Sequence, residues 1–316
     1  MDYVVTQVAK PQINKVPQMG GNDGANSEKA VRIYVQNALV SLASVKMNNP
    51  QVECILNCDF DIDSDLAKEF EKLDIRIHRI PFGKYSSDDR YIWAITQYKF
   101  DSLSHMLDIM QDGDRMIQLD ADTVCVGNLD EIYQEADEGI ILYVIDHGYC
   151  EEHRSCIRRN CARLYGENVC NVIHYGGEFF AGCKKYMTDF LISCQEVMDK
   201  MKKTVDLEPW DDEQVISIAA SYLLKGRIYP AGAYISRYWT NRFYLVSTNY
   251  CYNPVKIWHL PAEKKYGMMV LFNYYMQRRK LPSIRRMAVI MGLPGSKYKR
   301  WNLYRWGMRI LNKLKN

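Results

Sequence analysis

The chain has no long apolar run. No stretch approaches the roughly 18 uninterrupted apolar residues that a membrane-spanning helix needs, which argues against a helical span. The opening "MDYVVTQVAK" has no basic region, apolar core or cleavage motif of an export signal, so the expectation is a protein made and kept in the cytoplasm. Internal repeats and low-complexity tracts are also missing, which sets aside solenoid and disordered classes. Acidic residues vanish from the last forty positions. Of 41 Lys and Arg, twelve lie in residues 277–316, where there is no Asp or Glu; the other 29 face all 38 acidic residues. An acidic body of net −9 thus carries a strongly basic tail.

Cysteine is not scarce, but close pairs are. Cys150, Cys156, Cys161 and Cys170 fall near one another, with His147, His153 and His174 nearby. Their gaps of five, four and eight residues do not give the two close pairs of a structural zinc site. Without an export signal, reduced thiols are the expectation and zinc the alternative.

What remains is an ordinary globular composition, 47% hydrophobic and 25% charged over 316 residues. That suffices for one large α/β domain or two small ones with a sizeable core. Strand-like segments ("DYVVTQVA", "VECILNC", "IRIHRIPF", "RMIQL", "GIILYVID", "VKIWHLP") alternate with helix-like ones ("EKAVRIYVQNALVSLASVKMNN", "DSDLAKEFEKL", residues 89–110, "YMTDFLISCQEVMDKMKK", "WDDEQVISIAASYLL"). Alternation of this kind predicts an α/β fold, a mostly parallel sheet flanked by helices. Asn128 reads as a helix cap with Glu131 three residues on. "HYGGEFFAGCKK" reads as a glycine-rich strand or turn.

One feature carries chemistry. In "RMIQLDADTVCVGNLDEIY" (115–133) a short apolar strand ends in two aspartates one residue apart. Residues i and i+2 of a strand share a face, so Asp120 and Asp122 point together while Ala121 turns inward. Two carboxylates that close repel, and one is driven to hold a proton unless a cation sits between them. A hard divalent ion, Mn²⁺ or Mg²⁺, resolves the conflict and keeps open positions for phosphate oxygens. The plainer reading is an Asp-rich turn at a strand end. The position favours the metal, because ligands of such sheets bind at the carboxyl ends of their strands.

"IQLDADTVCVGNLDEIY" resembles the metal motif of the family-8 glycosyltransferases: Asp-x-Asp, an apolar pair, Gly or Asn, Leu and an acidic helix start. The resemblance implies a GT-A (Rossmann-like) fold in which both aspartates hold Mn²⁺ (or Mg²⁺) against the diphosphate of a UDP-sugar, with Ala121 in the donor-binding set. Further on, "HLPAEKKYG" resembles the family's late His-x-x-Gly-x-x-Lys-Pro-Trp segment, with Ala262, Tyr266 and Gly267 in place of Gly, Pro and Trp. That match makes His259 a third metal ligand and sets Lys265 against a donor phosphate. "HYGGEFFAG" is closer to the Tyr-Gly-Gly segment of family-6 transferases and offers Gly176 and Gly177 to the donor. "WDDEQVIS" resembles segments of both families, and both registers put Glu213 below the reacting sugar carbon and Asp212 on donor hydroxyls. Asp146 resembles a donor-sugar aspartate, Thr6 and Val8 take the place of nucleobase contacts, and Lys99 stands where an Arg near the phosphates is common. The plain alternatives are a satisfied strand histidine for His259 and an acidic helix start for "DDE".

The reading is therefore a metal-dependent retaining hexosyltransferase. Galactose or glucose would pass to a saccharide or glycolipid acceptor in surface polysaccharide or lipopolysaccharide synthesis. Residues 1–276 would form the catalytic domain, with 1–140 as nucleotide-binding half and 141–276 as donor-sugar and acceptor half. The tail, 277–316, mixes its cations with Tyr298, Trp301, Tyr304 and Trp306. A membrane surface is preferred to nucleic acid as its partner, and a basic helix packed on the acidic body is the plain alternative. Two other classes are alternatives. A sugar-nucleotide pyrophosphorylase wants a Gly-rich loop with Arg and Lys after the first strand, and "GGNDGAN" has no such basic pair. A non-catalytic saccharide- or membrane-binding protein would not need Asp120, Asp122, His259 and Lys265 together.

Overall fold

Seven strands form the main sheet of the computed structural model, which describes residues 1–10, 27–85, 93–145, 151–166, 172–240 and 255–293. In chain order they are β1 (Asp2–Val8), β2 (Glu53–Cys58), β3 (Ile75–Arg79), β4 (Arg115–Leu119), β6 (Ile140–Val144), β7 (Tyr175–Cys183) and β8 (Ile228–Pro230). Their spatial order is β3-β2-β1-β4-β7-β6-β8. All neighbours run parallel except β7, which is antiparallel to both β4 and β6. The reversal of β7 brings its N-terminal residues to the carboxyl ends of the parallel strands, with Phe179 opposite Leu119.

Alternation along β1 shows how the core divides. Val4 and Val8 enter one apolar cluster while Tyr3 and Val5 enter the other, as the two-residue period of a strand requires. The first cluster gathers α1 (Ser27–Asn48), α2 (Ser64–Glu71), α4 (Asp130–Ala136), α8 (Gly267–Arg278) and α9 (Ile284–Met291). The second gathers α3 (Tyr98–Ile109), α5 (Glu151–Tyr165), α6 (Lys184–Lys203) and α7 (Asp212–Tyr222). Helices thus cover both faces, as a largely parallel sheet demands.

A second sheet decides the site. β5 (Thr123–Cys125), β10 (Ile257–His259) and β9 (Ile235–Arg237) lie side by side, β10 in the centre. β5 follows the Asp120–Asp122 turn immediately, and its Thr123 pairs with His259. Leu260 N–H donates to Asp122 O at 3.0 Å, which fastens the late segment to the turn.

Several local expectations shift. The cysteine-rich segment contains helix α5, hidden from periodicity by the charges on its open face. Residues 94–97 form a 3₁₀ turn before α3, so the helix expected from 89 begins at Tyr98. Asn128 stands one residue ahead of the capping position, held by Leu129, yet its Oδ1 still accepts from Asp130 N at 2.7 Å. The chain does not leave the body at 276. Leu281, Met287, Ala288, Met291 and Leu293 belong to the first core cluster, and Arg279 pairs with Glu69 of α2. Residues 294–316, with Tyr298, Trp301, Tyr304 and Trp306, lie outside the described residues. No helix among the described residues is long and apolar enough to cross a membrane.

Candidate active site

The carboxyl ends of β1 and β4 open into two adjoining cavities. The smaller, about 130 Å³, is walled by Gln7, Val8, Tyr34, Ala121, Asp122 and Lys264, among others. The larger, about 650 Å³, reaches Gly177, Glu178, Asp211, Asp212, Glu213 and Arg237. Trp93, Thr96, Lys99 and Asp120 line both. Asp120 therefore stands at the junction.

Asp120 is a third exposed there, whereas Asp122 is almost wholly covered. Asp120 Oδ1 accepts from Gln7 Nε2 at 3.4 Å and lies 3.6 Å from Lys99 Nζ. Burial and the like charge of Asp122 push its carboxyl upward, against the pull of Lys99. Asp122 goes the other way. Burial would raise it, but Lys264 Nζ at 2.5 Å and His259 Nε2 at 3.4 Å hold it ionised, well below the usual carboxylate range.

His259 sits between two carboxylates. Its Nδ1 is 3.0 Å from Glu178 Oε1 and its Nε2 faces Asp122. Burial opposes its charge, yet the two acids outweigh it and lift the ring to about 9. The donor atoms of Asp120, Asp122 and His259 all lie within 4.8 Å of one another. With Glu178 fixing Nδ1, Nε2 is the nitrogen turned toward the aspartates, the second-sphere arrangement usual for a metal-binding imidazole. The donor set, two carboxylates and one imidazole, fits Mn²⁺ or Mg²⁺.

Behind this triad runs a charge relay of fixed pairs. Arg237, at the end of β9, grips Glu178 through Nε and Nη2 (2.6 and 2.5 Å) and reaches Glu213 Oε1 through Nη2 (2.6 Å). Glu178 is fully covered; burial would raise it, but Arg237 and His259 bring it to about 2. Glu213 is likewise held well below the usual range, since Arg237 and His174 outweigh burial. An ionised Glu213 can face developing positive charge but has no proton to give. Asp211 caps α7 by accepting from Gln214 N at 3.1 Å, which aims Asp212 and Glu213 into the cavity.

The two glycines are required by what presses on them. A Cβ at Gly177 would collide with the Asp212 carboxylate and Lys99 Nζ, and one at Gly176 with the Glu178 carboxylate. Lys99 fills the space thus left. Its ammonium donates to Gly177 O at 2.5 Å and pairs with Asp212.

Of the residues singled out from sequence, Asp120, Lys99, His259, Gly177, Asp212 and Glu213 line the larger cavity, and Asp122 lines the smaller one beside them. Val8 and Ala121 line the smaller one. Gly176 backs Glu178. Thr6 lies inside the sheet between Leu56 and Leu119 and lines neither cavity. Lys265 is half-buried in the turn before α8, and it is Lys264, one residue earlier, that reaches Asp122. Asp146 falls outside the described residues, as do His147, Cys150 and Cys170. Cys161 is packed in the second core cluster, while Cys156 lines the larger cavity.

Glu178, Arg237, Lys264 and the pairing of His174 with Glu213 were not anticipated. Glu178 had a signal, a carboxylate inside the apolar run "GGEFFAG". Arg237 in "ISRYWT" had none, because only the closing of the second sheet brings it to the acids.

The model described as "Glycosyl transferase family 8" matches residues 29–171. Among solved structures, the chain is similar to the galactosyltransferase LgtC in complex with donor and acceptor sugar analogs. The TM-score is 0.52 and the identity 14%, over 82% of this chain and 86% of that one. A structure of an active-site Gln→Glu mutant of LgtC matches with the same values. No curated protein sequence matches the chain.

Proposed function

We propose that the chain is a family 8 glycosyltransferase that moves a hexose, galactose or glucose, from a UDP-sugar to a saccharide or glycolipid acceptor with retention; the match of residues 29–171 to that family's model and the fold shared with LgtC support this. The observation that supports this most is the convergence of Asp120, Asp122 and His259 where the two cavities meet. The smaller cavity takes the nucleotide, with Val8 and Ala121 as walls. The larger takes the sugar and the acceptor.

Asp120, Asp122 and His259 would hold Mn²⁺ or Mg²⁺. The bound ion supplies Lewis-acid stabilisation of the leaving diphosphate. The chain's own groups do the rest. Lys99 and Lys264 bring two ammonium charges to the walls that face the diphosphate, a preorganised electrostatic contribution. Lys265, one residue on, would pair with a donor phosphate by resemblance. Asp212, fixed by Lys99, accepts from donor hydroxyls, and Asp146 belongs with it by resemblance. Glu213, fixed by Arg237 and His174, presents a negative charge below the sugar carbon as its bond to the diphosphate lengthens. Trp93 and Trp239 wall the larger cavity with indole faces suited to sugar rings.

Placement on the inner face of the cell membrane is part of the same proposal. Arg278, Arg279, Lys280, Arg285 and Arg286 are exposed around the half-exposed Ile284, a mixed basic and apolar edge suited to anionic lipid. Surface polysaccharide or lipopolysaccharide would then supply the acceptor.

The test is release of UDP from UDP-galactose and UDP-glucose with Mn²⁺, with Mg²⁺ and with chelator. The proposal expects metal-dependent release that Asp122→Asn lowers by at least about 100-fold, the scale of a lost transition-state electrostatic contact. Release that ignores chelator would refute the metal assignment, and no release from any UDP-sugar would refute the donor class.

A further inference from the structure

Two of the histidines that the sequence placed near the cysteines, His153 and His174, meet at Glu213. His153 on α5 and His174 before β7 both turn Nε2 toward Glu213 Oε2, at 3.5 and 2.9 Å. Their rings stand 5.0 Å apart between centroids. Asp211 Oδ2 lies 3.6 Å from His153 Nε2. The donor atoms of His153, His174 and Glu213 fall within 4.8 Å of one another.

Two details separate this group from an ordinary hydrogen-bonded cluster. His153 Nε2 is covered from solvent and makes no hydrogen bond, although two carboxylate oxygens lie just beyond bonding range. A gap near 3.5 Å is too long for a hydrogen bond. It is close to the roughly 3.4 Å edge of a tetrahedron whose ligand bonds are about 2.0–2.1 Å. The second detail is the state of Glu213. Arg237 holds Oε1, which leaves Oε2 as the oxygen offered to the imidazoles, an oriented and ionised ligand.

We propose that His153, His174 and Glu213, with Asp211 as a fourth donor, form a second cation site that takes a borderline transition metal of the Zn²⁺ class. The two sites divide by chemistry. Asp120, Asp122 and His259 offer mostly oxygen and suit Mn²⁺ or Mg²⁺, whereas two imidazoles with carboxylate suit Zn²⁺, Co²⁺ or Ni²⁺. His153, Asp211 and Glu213 line the larger cavity, so an ion has a way in. The proposal concerns binding and stands whether or not the transfer reaction is as assigned. Its consequence for that reaction is that an ion here draws Glu213 Oε2 away from the sugar.

The test uses the full chain with Mg²⁺ in excess to fill the first site. Zn²⁺ is titrated by calorimetry and Co²⁺ by its visible absorption. Wild type is expected to bind one Zn²⁺ and to give the intense bands of tetrahedral Co²⁺. His153→Ala should weaken Zn²⁺ by more than about tenfold, the size reached even by outer-shell losses, and abolish the Co²⁺ bands. His153→Phe, which refills the volume, should do the same, and Asp122→Asn should leave both signals in place. Equal Zn²⁺ affinity in wild type and both His153 variants overturns the proposal. So does Zn²⁺ binding that Asp122→Asn removes.

Discussion

Lys264 Nζ donates to Asp122 Oδ2 at 2.5 Å, although 142 positions separate the two residues. Both are nearly covered, so the pair neutralises a charge that has little water to solvate it. Removing one partner of a buried pair is destabilising by about 3–5 kcal/mol. Lys264→Met is therefore expected to lower the melting temperature of the metal-free protein and to raise its affinity for Mn²⁺, because the ammonium no longer competes for Asp122. Melting curves with and without Mn²⁺, and Mn²⁺ titration by electron paramagnetic resonance, check both halves. An unchanged affinity would mean that the ammonium and the ion do not share Asp122.

Gly177→Ala tests the close approach at the start of β7. The added methyl meets the Asp212 carboxylate and Lys99 Nζ, and both must move. Strain of about 1–3 kcal/mol is expected, together with a loss of UDP release of more than tenfold through misplaced Asp212. Activity retained alongside a normal melt would show that Asp212 is not needed where it stands.

Arg237 serves two acids at once. Arg237→Met leaves Glu178 and Glu213 without their shared cation, and a loss of about 3–5 kcal/mol follows from uncompensated buried charge. Arg237→Lys restores one point charge without the fork that spans Glu178, so its melting temperature should fall between wild type and Arg237→Met. An Arg237→Lys variant that melts like wild type would deny the fork its role.

Asp101 on α3 supplies a pH signature away from the metal ligands. Its Oδ1 accepts from Lys84 N at 3.2 Å, while Oδ2 is buried without a hydrogen bond. Burial raises the carboxyl to about 6, against backbone donors that pull it down. The unfolded group titrates near 3.9, so the folded chain holds the proton more tightly. The stabilisation from that proton is whole below about pH 4 and is lost as pH rises through 6. Asp101→Asn should flatten this part of the stability curve and stabilise the protein above pH 7 by on the order of 1 kcal/mol. Denaturant unfolding of both proteins between pH 4 and 8 measures it; parallel curves would refute it.

Much of this was legible in the sequence where a local rule governs. The period of two in β1 and the carboxylates one residue apart after β4 read directly, since strand geometry alone fixes which side chains share a face. His259 was reached only through a motif match. Periodicity contains nothing that tells one strand histidine from another. Lys264 and Lys265 illustrate the limit, because which of two adjacent lysines turns inward depends on the 3₁₀ turn at Pro261–Glu263. Arg237 and His174 were illegible for a different reason. Their partners lie 24 and 39 positions away, across elements whose packing no local pattern encodes.

The pairing of β10 with β5 has a consequence for synthesis. A nascent chain emerging from the ribosome can lay down β1 to β4 with both aspartates already at their strand end. The groups that neutralise Asp122, His259 and Lys264, arrive together more than 130 residues later. Any product that stops short of β10 keeps the acidic pair but loses both of those cations at once. A late strand and the turn that follows it thus relieve the repulsion built in by an early one.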